Sequence, residues 1–150
     1  MPTIKRFEEI EAWQTARSLT KLVYGLSSEG AFSRDFVLRD QIHRASISIL
    51  CNIAEGFESR TRGLFTEFLG RAKGSAGELR AQFYVALDAA YLTQEQFLAL
   101  SDQCEKCSSQ ISRLMAYLRT LPNSSGVKRS NDASGVERSN VSTFKRSNDA

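Results

Sequence analysis

Proline is almost missing from this chain. The two that occur, Pro2 and Pro122, leave residues 3–121 without one. A proline inside a helix costs about 3 kcal/mol, so a proline-free stretch of this length is open to long helices. Long apolar runs are also lacking. Nothing approaches the ~20 consecutive apolar residues that cross a bilayer, and the N-terminal MPTIKRFEEIE has no apolar core of an export signal. A cytosolic protein without a membrane span is expected. The cysteines, Cys51, Cys104 and Cys107, are odd in number, which points to reduced thiols. Histidine occurs once, as His43. A di-iron bundle needs two Glu-x-x-His motifs, and nucleophilic catalysis would have a single imidazole with no evident orienting partner. Excess charge is lacking as well. Residues 1–121 hold 15 Lys/Arg against 14 Asp/Glu, and residues 122–150 hold 5 against 3. Global charge therefore gives no argument for nucleic acid; only a clustered patch can.

Helical periodicity fills the proline-free stretch. A first helix is expected from about Glu8 to Leu26, with Ile10, Trp13, Ala16, Leu19 or Thr20, Val23 and Leu26 at spacings of three and four. Ser27, Ser28, Glu29 and Gly30 end it. A second runs from about Arg34 to Glu58 with Ser33 as N-cap. Thr61 caps a third, which continues to about Leu92. Thr93 and Gln96 form a capping box opening a fourth, whose stripe is Phe97, Leu100, Cys104, Cys107, Ile111, Leu114, Leu118 and Leu121. Pro122 stops it. Short links make neighbours antiparallel. The expected fold is all-α: an antiparallel up-down-up-down four-helix bundle over residues 1–121 and a disordered tail over 122–150.

The tail is rich in Ser and Asn and repeats itself: GVKRSN at 126–131, GVERSN at 135–140, FKRSN at 144–148. Units of nine residues or fewer are too short for a solenoid. Translated short-repeat DNA giving a disordered segment is the simpler reading; a basic tether for RNA is the other.

The second helix carries two apolar arcs. At about 100° per residue, Leu38, Ile42, Ala45, Ile49 and Ile53 form one stripe. Phe36, Ile47, Leu50 and Ala54 form another, centred roughly 140° round the helix. A bundle helix in a monomer needs one arc. The first is read as the internal core and the second as an oligomer interface, or the reverse; a helix buried on all sides in one protomer is the alternative. In the third helix Gly70, Gly74 and Gly77 each cost about 1 kcal/mol relative to alanine. Close helix–helix approach is the expected compensation, with ligand access to backbone the rarer one.

Two residue sets are candidates for binding. Arg39, Arg44, Arg60, Arg62, Arg71, Lys73 and Arg80 concentrate in the second and third helices. Repeated by rotational symmetry, they would give a nucleic-acid footprint; alternatively they form a solvated face with pairs such as Glu67–Arg71. The polar set Gln41, Arg44, Asn52, Glu55, Ser75 and Glu78 is read as a network joining the two helices and fixing their register, with a ligand or catalytic site as the alternative. No metal site is assigned. Cys104-x-x-Cys107 is half a zinc motif, and both thiols fall on the core stripe of the fourth helix. No catalytic residue or cofactor is assigned either.

Three segments carry a resemblance: Gln41-Ile-His-Arg44-Ala-Ser-Ile-Ser48, Asn52-Ile-Ala-Glu55-Gly56, and Phe68-Leu-Gly-Arg-Ala-Lys-Gly74-Ser75-Ala-Gly-Glu78-Leu79. Together with Phe7, Trp13, Ala16 and Tyr24, they resemble the four-helix bundle proteins encoded in 23S rRNA intervening sequences, over about residues 7–121. His43 departs from a common arginine, Leu50-Cys51 from a stretch that often holds proline or serine, and the tail has no counterpart. The resemblance implies a homo-oligomer, typically a pentamer, with no established enzymatic activity. The family is similar to the accessory variability protein of diversity-generating retroelements, a pentameric barrel that binds nucleic acid and a reverse transcriptase. The expected function is a non-enzymatic homo-oligomeric scaffold or adaptor touching RNA or an RNA-bound protein. The alternative is a small-molecule-binding or catalytic bundle using Asn52, Glu55 and Glu78.

Overall fold

The computed structural model describes residues 3–122, so the expectation of a disordered tail lies outside the described residues. After a 3-10 turn at Phe7–Glu9 come five helices: α1 (Glu11–Ser27), α2 (Gly30–Arg34), α3 (Phe36–Glu58), α4 (Arg62–Asp88) and α5 (Gln94–Thr120). The four long ones are the four expected from the periodicity. Helix α1 packs beside α3 and α5, and α4 packs beside the same two, which leaves α1 and α4 on a diagonal. The described residues form no strand.

The helix ends depart from the sequence reading for local reasons. Helix α1 begins at Glu11 rather than Glu8, because Ile10 is extended and breaks the chain away from the preceding turn. Ser33 does not cap the second long helix. Its Oγ donates to Gly30 O at 2.6 Å within α2, and the N-cap is Asp35, whose carboxylate accepts from Leu38 N at 3.1 Å. Helix α4 stops at Asp88 rather than Leu92. Ala90 takes the left-handed conformation at φ 61°, and Tyr91 N and Ala90 N donate back to Ala86 O and Leu87 O. That pair of bonds is a Schellman stop with alanine where glycine is usual. The Thr61 cap and the Thr93–Gln96 capping box form as read.

The core contains the expected stripes. Leu38, Ile42, Ala45, Ile49 and Ile53 of α3 are all buried, against Leu19 and Val23 of α1 and Leu69, Ala72, Ala76, Leu79 and Phe83 of α4. The α5 stripe is buried from Phe97 to Leu118, while Leu121 is exposed. Cys104 and Cys107 sit in this core with their thiols donating to Ala76 O (3.1 Å) and Ala12 O (3.4 Å). Burial pushes both thiols up to about 12, so they behave as small apolar side chains.

The glycine expectation is corrected. A Cβ added at Gly70, Gly74 or Gly77 would meet no atom within 4 Å; none of the three closes a helix contact inside the protomer. The close approach is at Gly56, where a Cβ would come within 2.7 Å of Phe68 Cβ and 3.2 Å of Phe65 Cδ1. Periodicity shows that a glycine lies on a helix, but only the register of α3 against α4 shows which one faces backbone.

Candidate functional site

The outer seam between α1 and α3 carries the second apolar arc. Phe36 is 62% exposed and Ile47 39%, and Leu50 and Ala54 are half-buried. Ile47 and Leu50 join Thr20 and Tyr24 of α1 in an open groove of about 500 Å³, bordered by Arg17 and Lys21. Further down α1 the Arg17 guanidinium lies 5.8 Å from the Trp13 ring centroid, and Trp13 Nε1 is buried without a hydrogen-bond partner. Monomer packing would not choose to leave these side chains in water, since each large apolar residue gains about 1.5–3 kcal/mol on full burial.

Beneath Tyr24 lies a cluster that the sequence reading missed. The Tyr24 ring stacks on His43, with centroids 3.9 Å apart and planes 10° apart. Ser27 Oγ, fully buried, lies 2.6 Å from His43 Nε2. Burial first, and the Arg39 cation second, hold the imidazole below its usual pKa, with Asp40 opposing. The missed signal was the spacing of Tyr24 and Ser27, three apart on one face of α1 and facing the sole histidine. A second missed link lies at the same end of the bundle, where Tyr91 Oη donates to Asp35 Oδ2 at 3.0 Å and the Tyr91 ring stacks on buried Phe32. The Asp35 carboxylate raises the Tyr91 phenol above its ordinary pKa.

The polar set divides. Ser48 and Ser75 hydroxyls lie 2.9 Å apart across the α3–α4 contact, and Asn52 Nδ2 donates to Ser48 O (2.8 Å) and Ser48 Oγ (3.0 Å). These three form the interhelical link. Gln41, Arg44, Glu55 and Glu78 are exposed. Glu78 accepts from Gln82 on its own helix, and no bond joins any of the four to the serine–asparagine trio.

The seven basic residues also divide. Arg39 donates to Ser33 O at 2.8 Å and lies over the Phe36 ring. Arg71 pairs with Glu67 at 2.8 Å and lies over Phe68. Lys73 bonds Ser112, and Arg80 pairs with Glu105, both on α5. Arg62 donates to Leu121 O. Arg44 and Arg60 are exposed, with no ion pair among the described residues. Among those residues no group of three or more His, Cys, Asp and Glu gathers as a metal site, and no helix is long and apolar enough to cross a membrane.

Comparison with curated proteins finds no match. Among solved structures the chain is similar to a protein of unknown function from the S23 ribosomal protein family of Bacteroides thetaiotaomicron. The TM-score is 0.64 and the identity 20%, over 70% of this chain and 95% of that one; at that identity the likeness speaks for the fold. The sequence model of the 23S rRNA-intervening sequence proteins matches residues 8–113, the stretch that builds all four long helices nearly to the end of α5. The chain belongs to the 23S rRNA-intervening sequence protein family.

Proposed function

We propose that the chain is a non-enzymatic, cytoplasmic scaffold that works as a homo-oligomeric ring, typically of five copies as the family resemblance implies, and engages RNA or an RNA-bound protein. One observation carries the reading: the outward apolar arc with Phe36 and Ile47 exposed and Leu50 and Ala54 half-buried, and exposed Tyr24 beside it. Apolar patches with a polar rim mark interaction surfaces. The α4 face around Gly70, Gly74 and Gly77 gives a second, differently shaped surface, smooth and open. A ridge on one protomer seated on a smooth face of the next is a heterologous contact, the kind that gives a ring when its rotation closes. The resemblance read in the sequence, through the family, to the accessory variability protein is the ground for the nucleic-acid half, as an analogy. The small-molecule reading lacks comparable support, because Asn52 is committed to Ser48 and both carboxylates are exposed.

Sedimentation of the full chain at micromolar concentration tests the assembly. A multimer is expected, and Ile47→Asp or Gly74→Leu should dissociate it while helicity by circular dichroism is kept. A clean monomer in the unaltered chain overturns the reading.

A further inference from the structure

The end of the bundle where the chain leaves the described region combines cations, aromatic walls and a concave shape. A groove of about 500 Å³ is lined by Ile4, Lys5, Phe57, Arg60, Thr61, Arg62, Phe65 and Leu118. Three of these are cationic and none is acidic. Phe57 and Phe65 meet edge to face at 6.0 Å, half-buried, so that each keeps part of its ring toward the groove. Arg60 and the Lys5 ammonium have no ion pair among the described residues. Arg60 is also held at φ 57°, a left-handed conformation that costs an ordinary side chain roughly 1 kcal/mol or more. Its N–H donates to Phe57 O at 3.3 Å, so the conformation is a left-handed stop of α3, as at Ala90, and it fixes where the side chain leaves the helix end.

The chain beyond the groove adds charge of the same sign. Arg62 donates to the carbonyl of Leu121, which fixes the exit point at the groove's rim. The 28 residues after Pro122 carry Lys128, Arg129, Arg138, Lys145 and Arg146 against Asp132, Glu137 and Asp149. Elsewhere on the protomer Arg6, Arg39, Arg71 and Arg80 pair with acids and Lys73 bonds Ser112, while Arg17 and Lys21 border the α1–α3 groove beside Tyr24. The groove at this end sets Lys5 and Arg60, without ion pairs among the described residues, against the Phe57 and Phe65 rings.

We infer that this groove binds single-stranded nucleic acid, with Lys5 and Arg60 on phosphates and an unstacked base against the Phe57–Phe65 wall. Backbone neutralisation by Lys and Arg supplies sequence-independent affinity. Stacking of bases on aromatic rings supplies a preference for single strands, about 1–3 kcal/mol per base when such a ring is removed. The inference rests on the reading that the assembly engages nucleic acid and assigns that contact to one end of each bundle.

Fluorescence anisotropy of the full chain with labelled oligouridine and oligothymidine of about 20 nucleotides, longer than a single groove occupies, tests it. A duplex of equal length and poly-glutamate serve as comparators. Arg60→Gly removes the guanidinium at a position where glycine suits the backbone, so the variant should fold at least as well. It should lose affinity about three- to tenfold and lower the salt slope by about one, as one lost phosphate contact does. Lys5→Ala should do the same, and Lys106→Glu on α5, although it alters net charge more, should leave affinity within about twofold. The single strands should outcompete the duplex. Equal losses for Arg60→Gly and Lys106→Glu overturn the inference, as does equal or tighter binding of duplex or poly-glutamate. Loss on Arg44→Ala, Arg71→Ala or Lys73→Ala without loss on Arg60→Gly places the contact elsewhere and overturns the site alone. Absence of binding to every polynucleotide at about 50 mM salt overturns the site together with the nucleic-acid half of the proposed function.

Discussion

Gly56 of α3 and Phe68 of α4 approach so closely that a Cβ on the glycine would lie 2.7 Å from the phenylalanine Cβ. Both atoms would belong to the stiff, backbone-proximal part of their residues, so neither can swing aside. The pair sets how near the two helices come at the end where Ser59 and Arg60 turn the chain, and it holds Phe65 in place against the groove beside Phe57.

Gly56→Ala should therefore destabilise the protein by about 1–3 kcal/mol, the usual cost of forcing volume into a packed contact. This holds even though alanine is the better helix former by about 1 kcal/mol. Urea denaturation monitored by circular dichroism checks it. An unchanged or raised midpoint would mean that α3 and α4 separate without penalty.

His43 should make the protein less stable in mild acid. Its folded pKa lies below the usual value because of burial and, secondarily, Arg39. As pH falls through about 6.5, the unfolded chain takes up a proton that the folded chain resists. Stability is thus intact above that range and is lost as pH drops toward the folded pKa. Denaturation midpoints between about pH 8 and pH 5 should fall less steeply in His43→Gln than in the parent chain. Parallel slopes would show that the Tyr24–His43–Ser27 cluster does not penalise protonation.

Cys104 and Cys107 should resist alkylation in the native state. Their thiols are raised to about 12, and thiolate is the reacting form. Near pH 8 the thiolate population is suppressed by several powers of ten, and the core blocks the reagent as well. Mass spectrometry after iodoacetamide treatment should find both unmodified until denaturant is added. Modification at the rate of an unfolded chain would place them outside the core.

How much of this was legible beforehand follows from what is local and what is not. Helix α5 was readable nearly residue by residue, because a capping box and a three-four stripe are properties of one helix. The two arcs of α3 were equally visible as angles. Which arc turns inward was left open by the angles and settled by packing, since both contain aliphatic residues and only the arc with Ile42, Ile49 and Ile53 is fully buried. The caps were less secure. Ser33 and Asp35 both have side chains suited to an N-cap, and a five-residue helix ending at Arg34 gave the position to Asp35.

The sequence alone determined the class of fold: no proline across residues 3–121, apolar residues at helical spacing, and short polar links leave little besides an antiparallel bundle. Tertiary structure decided the meaning of individual residues. It made Gly56 the point of contact and left Gly70, Gly74 and Gly77 open to solvent. It kept two of the six-residue polar set, Asn52 and Ser75, and bonded both to Ser48, which lies outside that set. It also brought Lys5, Phe57, Arg60 and Phe65, drawn from three parts of the chain, around one groove. The physical reason is the same throughout. Periodicity fixes each side chain's angle about its own helix axis, whereas what that side chain touches depends on the rotation and register of the neighbouring helices, which are set only when all four pack together.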